Sequence, residues 1–93
     1  MTVRVIPERE FIKAVERASP DRKDAARETL VKFAREPALP RLDFRPLKGK
    51  PGFFLIDGRR GDRIVLRKDA EDLFAAVDYG PHDNVYRRWN RRK

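Results

Sequence analysis

The sequence predicts an α+β fold of the order β-α-α-β-β-β-β, in which a twisted antiparallel sheet packs on two N-terminal helices. Apolar residues recur at helical spacing in the first half, whereas short apolar stretches separated by glycine or charge fill the second half. With 93 residues, the chain has the length of one domain spanning 1–93. A domain of this size is expected to fold around one small hydrophobic core.

The first half reads as one strand followed by two helices. Residues 3–6 alternate apolar and polar side chains before Pro7 interrupts the pattern. From Glu8 onward the period becomes helical, and Ser19 before Pro20 is typical of an N-cap with proline at the first helical position. The expected core positions of the two helices are Phe11, Ala14 or Val15, Ala18, Ala26, Leu30, Phe33 and Ala34. Prolines at 37 and 40 end the second helix.

The second half predicts four consecutive antiparallel strands at 42–47, 53–57, 63–67 and 73–79. Charged turns are expected at 58–62 and 68–72. The unbroken apolar run 53–56 indicates a central strand that is buried on both faces, or one with a face that awaits a partner. The last twelve residues, from His82, predict a short basic helix that docks on the sheet through Val85 and Trp89.

Composition points to a polyanionic partner. The chain has 23 Lys and Arg against 15 Asp and Glu, a net charge of +8, so nucleic acid is the first partner to consider. An anionic membrane would also suit this charge, but no apolar run approaches the roughly 20 residues of a membrane span and no signal-peptide pattern opens the chain. We therefore expect a soluble cytoplasmic protein that does not bind membranes.

The same composition restricts the available chemistry. With no cysteine and one histidine, the sequence argues against disulfides, thiol catalysis, and Cys- or His-rich metal sites. The single histidine, His82, precedes Tyr86 by four residues inside an arginine cluster. An imidazole can move a proton near neutral pH, a phenol can hydrogen-bond or stack on a base, and guanidinium groups neutralise phosphate. This combination favours RNA chemistry that requires neither metal nor cofactor.

Three segments in this order resemble the RelE/ParE superfamily of bacterial toxins from toxin–antitoxin pairs. They are the strand end 47–49, the strand 62–66, and the closing segment 80–86, which is similar to the family ending GHHDEVY. RelE-branch members are endoribonucleases that cleave messenger RNA in the ribosomal A site, without metal, by attack of the 2′-hydroxyl on the adjacent phosphate. ParE-branch members instead inhibit DNA gyrase. The resemblance implies a RelE-like, ribosome-dependent mRNA endonuclease that inhibits translation.

Carried over position by position, the resemblance implies a catalytic set of His82, Tyr86, Arg63, Lys48 and Lys50. Arg63 is assigned to the phosphate, His82 to acid or base, and Tyr86 to orienting or stacking on the substrate. The order of the two proton transfers is left open. Each residue also has a plain structural reading: a surface histidine, a packed tyrosine ring, and solvated strand or turn cations.

Four further arginines are candidate RNA-binding residues: Arg59, Arg60, Arg87 and Arg88. The first pair occupies a predicted hairpin tip, where the arginines could grip an RNA backbone or simply keep the turn soluble. The second pair begins a basic stretch in which the last twelve residues carry five Lys or Arg against one Asp, which favours contact with ribosomal RNA over a solvated tail.

One position departs from the family pattern. Family members with this ending often read SIRVN on the second meander strand, and the expected arginine is Asp57 here. A carboxylate would repel the scissile phosphate unless Asp57 pairs with a neighbouring arginine, or unless Arg59 or Arg60 supplies the missing charge.

The resemblance also implies partners: a cognate antitoxin that is acidic and partly disordered, together with mRNA and the ribosome. The alternative is a non-catalytic module of the same fold, either a gyrase inhibitor or a degenerate RNA-binding domain, in which Asp57 marks the loss of the active constellation. A small DNA-binding protein is a third reading, disfavoured because the chain shows no recognition helix or zinc site.

Overall fold

The computed structural model describes residues 2–91, and for positions 90 and 91 the backbone alone. Its elements follow in this order: β1 (Arg4–Pro7), α1 (Arg9–Glu16), α2 (Pro20–Arg35), a 3₁₀ turn (Pro40–Leu42), β2 (Arg45–Pro46), β3 (Phe53–Asp57), a second 3₁₀ turn (Arg59–Gly61), β4 (Asp62–Ala70), β5 (Leu73–Pro81) and α3 (His82–Arg91). The predicted α+β class and element order are confirmed. Within residues 2–91, no helix has both the length and the apolar character needed to cross a membrane.

The five strands form one mixed sheet in the order β1-β5-β4-β3-β2. The meander from β2 to β5 is antiparallel as predicted, but β1 pairs parallel to β5, with Arg4 opposite Leu73 and Pro7 opposite Ala76. The prediction of a wholly antiparallel sheet was therefore wrong. The meander leaves two edges, and nine-residue β5 offers far more backbone than two-residue β2. Helices α1 and α2 then carry the chain from β1 across the sheet to β2 at the opposite edge.

Two of the predicted boundaries also differ. The stretch 42–47 contributes a strand of only two residues, because Leu42 closes a 3₁₀ turn and Asp43 follows in the left-handed region at φ 47°. The turn expected at 68–72 is shorter, since β4 continues to Ala70. A strand ladder is made by backbone groups, so exposed charged residues at its end do not interrupt it.

One face of the sheet carries the core covered by α1 and α2. Phe11 and Phe33 reach it from the helices, and Phe33 meets Phe74 of β5 with ring centroids 5.1 Å apart, edge to face. Phe44 and Phe54 stack alongside at 4.8 Å. This aromatic layer confirms the predicted apolar stripes of both helices.

The opposite face carries a second apolar cluster, under α3. Val85 and Trp89 dock there as predicted, at 1% and 8% exposure, against Leu55 and Val65. The expectation of one core is thus corrected to two clusters separated by the sheet. The apolar run in β3 is explained because alternate side chains are buried on opposite faces.

A buried polar network ties α2 to the sheet. The Asp62 carboxylate is buried at the start of β4 and accepts two hydrogen bonds from Arg22, at 3.0 and 2.6 Å. Tyr79 donates its hydroxyl hydrogen to the same carboxylate at 2.5 Å. Burial and this hydrogen bond raise the pKa of Tyr79 to about 12. The network satisfies a carboxylate that would otherwise be costly to bury.

Replacing Tyr79 tests this network. We expect Tyr79→Phe to lower the free energy of unfolding by about 1.5 kcal/mol at neutral pH, because a hydrogen bond to a charged group is lost. The native pKa of about 12 lies above the ordinary tyrosine value of about 10, so the hydroxyl contributes fully below about pH 10 and its contribution disappears as the pH rises through about 12. Chemical denaturation of both proteins across this pH range measures the difference.

Tyr86→Phe is the matched control, because Tyr86 is the other of the two tyrosines and lies outside the Asp62 network. Equal stability of Tyr79→Phe and the wild type at neutral pH would contradict the prediction.

Candidate active site

Helix α3 follows β5 without a loop and distributes its side chains to four sides. Residues four apart lie on the same side of a helix. Val85 and Trp89 face the sheet, whereas Asp83 and Arg87 face solvent. His82 and Tyr86 lie together on one flank, and Asn84 and Arg88 lie on the other. The docking of Val85 and Trp89 therefore fixes where His82 and Tyr86 stand.

His82 and Tyr86 form an aromatic pair. Their ring centroids are 4.3 Å apart and the planes stand at 82°, an edge-to-face contact. His82 is the first residue of α3, and its side chain remains 45% exposed. An accessible imidazole held against a phenol is an arrangement that can exchange a proton with a bound substrate.

A charged cluster, Arg45–Asp57–Arg63, lies across strands β2, β3 and β4. Arg45 pairs in register with Leu55, two residues before Asp57, and Asp57 pairs with Arg63, so all three side chains share the face that carries α3. Oδ1 of Asp57 lies 3.0 Å from Nη1 of Arg45 and 3.1 Å from Nε of Arg63. The three side chains are 19% to 27% exposed.

The two contacts of Asp57 are unequal. Arg45 donates a well-formed hydrogen bond to the carboxylate. Nε of Arg63 is buried and close enough for an ion pair, but it makes no hydrogen bond of acceptable geometry within the described part of the chain. We take the Arg63–Asp57 contact as a charge interaction without directional bonding.

Arg45 connects this cluster to the aromatic pair. Burial lowers the pKa of the Arg45 guanidinium, but hydrogen bonding and charge from Asp57, with a hydrogen bond to Tyr86, outweigh that effect and the net shift is upward. The aromatic pair and the charged cluster thus share one face of the sheet, because Tyr86 packs against the apolar cluster that includes Leu55, the register partner of Arg45. The sequence analysis missed Arg45, because only the β2–β3 register places it beside Asp57.

Asp57 stands where the family has an arginine, and it pairs with neighbouring arginines, which is one of the two arrangements expected. The other arrangement, in which Arg59 or Arg60 supplies the missing charge, is not seen among the described residues. Arg59 lies 3.4 Å from Glu28 and Arg60 lies 3.9 Å from Asp21, so both hairpin arginines pair with α2. The structure therefore does not bring Arg59 and Arg60 to His82.

Lys48 and Lys50 lie in the turn between β2 and β3, away from the cluster. The turn leads into Phe53, whereas Asp57 ends the same strand, about 13 Å along at 3.3 Å per residue. Lys48 is exposed and Lys50 half-buried. The two lysines therefore lie at the opposite end of β3 from Asp57.

Arg87 and Arg88 occupy different surroundings. Arg87 is exposed on the outer side of α3. Arg88 donates two hydrogen bonds to the Asp78 carboxylate, at 3.0 and 3.1 Å, and a third to the carbonyl of Tyr79 at 3.3 Å. Arg92 and Lys93, which end the predicted basic stretch, lie outside the described residues.

Asp78 anchors α3 to β5. Besides the two bonds from Arg88, its carboxylate accepts a hydrogen bond from Nε1 of Trp89 at 2.8 Å and one from the backbone N–H of Tyr79 at 2.8 Å. A Cβ on Gly80 would stand 3.3 Å from Nη2 of Arg88, so glycine at this position permits the close approach.

A groove of about 540 Å³ lies beyond Arg88, between α1 and α3. Lys13 and Arg17 line it from α1, and Asn84 and Arg88 from α3. His82 and Tyr86 do not line it, because α3 stands between them and the groove. This groove is thus separate from the aromatic pair.

Comparison with known proteins gives matches among solved structures alone, since neither a protein-family model nor a curated protein matches the sequence. The isolated E. coli RelE toxin is matched with a TM-score of 0.65 at 18% identity, over 97% of each chain. The chain has the RelE fold. The E. coli DinJ–YafQ toxin–antitoxin complex is matched with a TM-score of 0.72 at 11% identity, over 92% of this chain and 99% of the other. The archaeal RelE–RelB complex from Pyrococcus horikoshii gives 0.64 at 22%, over 87% and 96%.

The resemblance noted in the closing segment is therefore confirmed at the level of the RelE fold. Sequence identities of 11% to 22% support a shared backbone fold but do not transfer the roles of individual side chains. Those roles are argued below from the contacts of this chain.

The anchoring of α3 is testable through Trp89, the single tryptophan. We expect Asp78→Asn to lower the free energy of unfolding by about 1–2 kcal/mol and to shift Trp89 emission to the red, because the charge-assisted bonds from α3 are weakened. Asp69→Asn removes a carboxylate paired with Arg67 on β4 and is the control. Unchanged emission and stability in Asp78→Asn would contradict the anchoring role.

Proposed function

We propose that this protein is a RelE-like toxin that cleaves messenger RNA on the ribosome and so inhibits translation. The observation that carries the proposal is the placement of the His82–Tyr86 pair and the Arg45–Asp57–Arg63 cluster on one face of the sheet, which brings a proton-transfer group and cations suited to phosphate together. A nuclease needs these groups together, whereas a purely structural set of surface side chains does not.

The proposed reaction is an in-line transesterification. The 2′-oxygen attacks the adjacent phosphorus and forms a cyclic phosphate, while the bond to the 5′-oxygen breaks. The 2′-hydroxyl loses its proton, the non-bridging oxygens gain negative charge, and the departing 5′-oxygen takes a proton. No change of oxidation state occurs, and this chain must supply only acid, base and cationic groups.

His82 is the proposed proton-transfer residue, as acid or base, because its imidazole is accessible and can either donate or accept a proton. Tyr86 would orient His82 and offer its ring to a base. Arg63 would stabilise the charge on the phosphate. Lys48 and Lys50 are proposed to act on the RNA backbone farther along β3, a smaller contribution than that of the cluster.

RNA contacts outside the cluster are assigned to exposed arginines. Arg87 is the best placed of the four predicted, since it points to solvent beside the aromatic pair. Arg59, Arg60 and Arg88 would have to exchange their carboxylate partners for phosphate. The net charge of +8 supports binding to ribosomal RNA and mRNA.

An acidic, partly disordered antitoxin is the proposed protein partner. Two of the matched structures are toxin–antitoxin complexes, and this chain presents the complementary charge. The cytoplasm is the compartment in which such a toxin would meet ribosomes.

A non-catalytic module of the same fold is the second candidate, and Asp57 is the observation that favours it. A carboxylate beside Arg63 offsets part of the positive charge that a nuclease would use on the phosphate. A gyrase inhibitor or an RNA-binding domain would not require that charge to be free.

Induced expression in a bacterial host without antitoxin tests the proposal. We expect the wild type to arrest growth and to produce new mRNA 5′ ends positioned by reading frame. His82→Ala should cut the cleavage rate by about 10²–10⁴-fold, through loss of general acid–base catalysis, and Arg63→Ala by about 10²–10³-fold. Cleavage is followed by mapping 5′ ends in total RNA.

Arg4→Ala is the control, because Arg4 is an exposed cation on the far edge strand β1. Wild-type cleavage in both His82→Ala and Arg63→Ala would refute the site. Growth arrest without cleavage would favour the gyrase inhibitor, and normal growth with intact message would favour the degenerate RNA-binding domain.

A further inference from the structure

We propose that Arg45 and Arg63 form a phosphate-binding pair and that, in the free protein, the Asp57 carboxylate occupies the position that an RNA phosphate takes on binding. The inference rests on the proposed function for the identity of the ligand. It adds a binding residue, Arg45, and gives Asp57 the role of a built-in competitor of the substrate.

The geometry supports a shared anion position. A single oxygen of Asp57 lies within 3.1 Å of both guanidinium groups. Two guanidinium groups that converge on one oxygen form a site to which an oxyanion of any source is suited, because charge-assisted bonds from arginine are directed at such oxygens. The two non-bridging oxygens of an RNA phosphate can each accept a hydrogen bond from one arginine, whereas both arginines share a single oxygen of Asp57.

The carboxylate satisfies the pair incompletely. Nε of Arg63 is buried yet lacks a hydrogen bond of acceptable geometry within the described residues, although Asp57 is close. A buried donor without a directional partner gains from any ligand that supplies one. The contact of Asp57 with Arg63 is therefore weaker than its contact with Arg45. A phosphate can begin to replace the carboxylate at Arg63.

The site is also placed for the reaction. Tyr86 contacts the ring of His82 and packs against the apolar cluster that includes Leu55, the register partner of Arg45, so a phosphate at the position of Asp57 lies on the same face as the aromatic pair. Asp43, the other carboxylate near Arg45, is 64% exposed and does not bridge to Arg63. Within residues 2–91, Asp57 is the carboxylate that pairs with both arginines.

Binding of a non-cleavable RNA tests the inference. The probe is a short labelled RNA with 2′-O-methyl groups throughout, so that affinity is measured without reaction. We expect Asp57→Asn to bind it about tenfold more tightly than the wild type, because the competing charge is removed and the shape is kept. The log–log salt dependence of binding should steepen by about one, since one more cationic charge faces the RNA.

Three controls separate local from general effects. Asp72→Asn makes the same change in net charge at an exposed position paired with Arg4, and should leave the affinity within about twofold. In a protein that already carries Arg45→Gln, adding Asp57→Asn should tighten RNA binding by much less than tenfold, because one of the two phosphate-binding arginines is already absent. Thermal unfolding of each variant reports whether it folds. If Asp57→Asn does not fold, Arg45→Gln alone decides: about tenfold weaker RNA binding supports the inference, and unchanged binding overturns it.

The outcomes also distinguish this inference from the proposed function. Tighter binding by Asp57→Asn with no cleavage by any variant would support the phosphate pair and refute the nuclease. Cleavage by the wild type, together with unchanged or weaker binding by Asp57→Asn, would keep the nuclease and overturn the role of Asp57. Equal tightening by Asp72→Asn would overturn it as well, and absence of RNA binding by both proteins would overturn this inference while the cleavage test still decides the nuclease.

Discussion

The alternation of side chains along β4 is the constraint on which the rest of the molecule depends. Asp62 points to α2 and Arg63 to the face of α3, while Ile64 and Val65 enter the two separate apolar clusters. A shift of one residue in the register of β4 would exchange these environments, burying Arg63 under the helices and exposing Asp62. The buried bond from Tyr79 and Arg22 to Asp62 therefore fixes the direction of Arg63 as well as the position of α2.

Carboxylates set the electrostatics of this basic chain. Asp62, Asp57 and Asp78 each hold arginines that would otherwise be free beside the sheet. The net charge of +8 is therefore a poor measure of what the candidate site offers a phosphate, because Arg45 and Arg63 are already paired with Asp57. Local pairing and not total charge determines how strongly this face attracts RNA.

The sequence allowed much of the fold to be predicted, because helical and strand periodicities are local properties. The docking of Val85 and Trp89 followed from their spacing, and β3 was recognised from its apolar run. The parallel pairing of β1 could not be predicted, since no local signal indicates which edge a distant strand joins. Arg45 was missed for a related reason: its partners depend on the register between β2 and β3, which only long-range packing determines.

The way α3 meets β5 has a consequence beyond the placement of His82. Strand β1 ends opposite Ala76, so the last residues of β5 have no strand on that side, and the N–H and C=O of Tyr79 are taken up by Asp78 and Arg88. Helix α3 thereby closes an open sheet edge of the kind that promotes self-association. A chain truncated before α3 would lose the aromatic pair and would also expose a sheet edge that promotes self-association. The solubility of the chain therefore depends on the same helix that carries the candidate site.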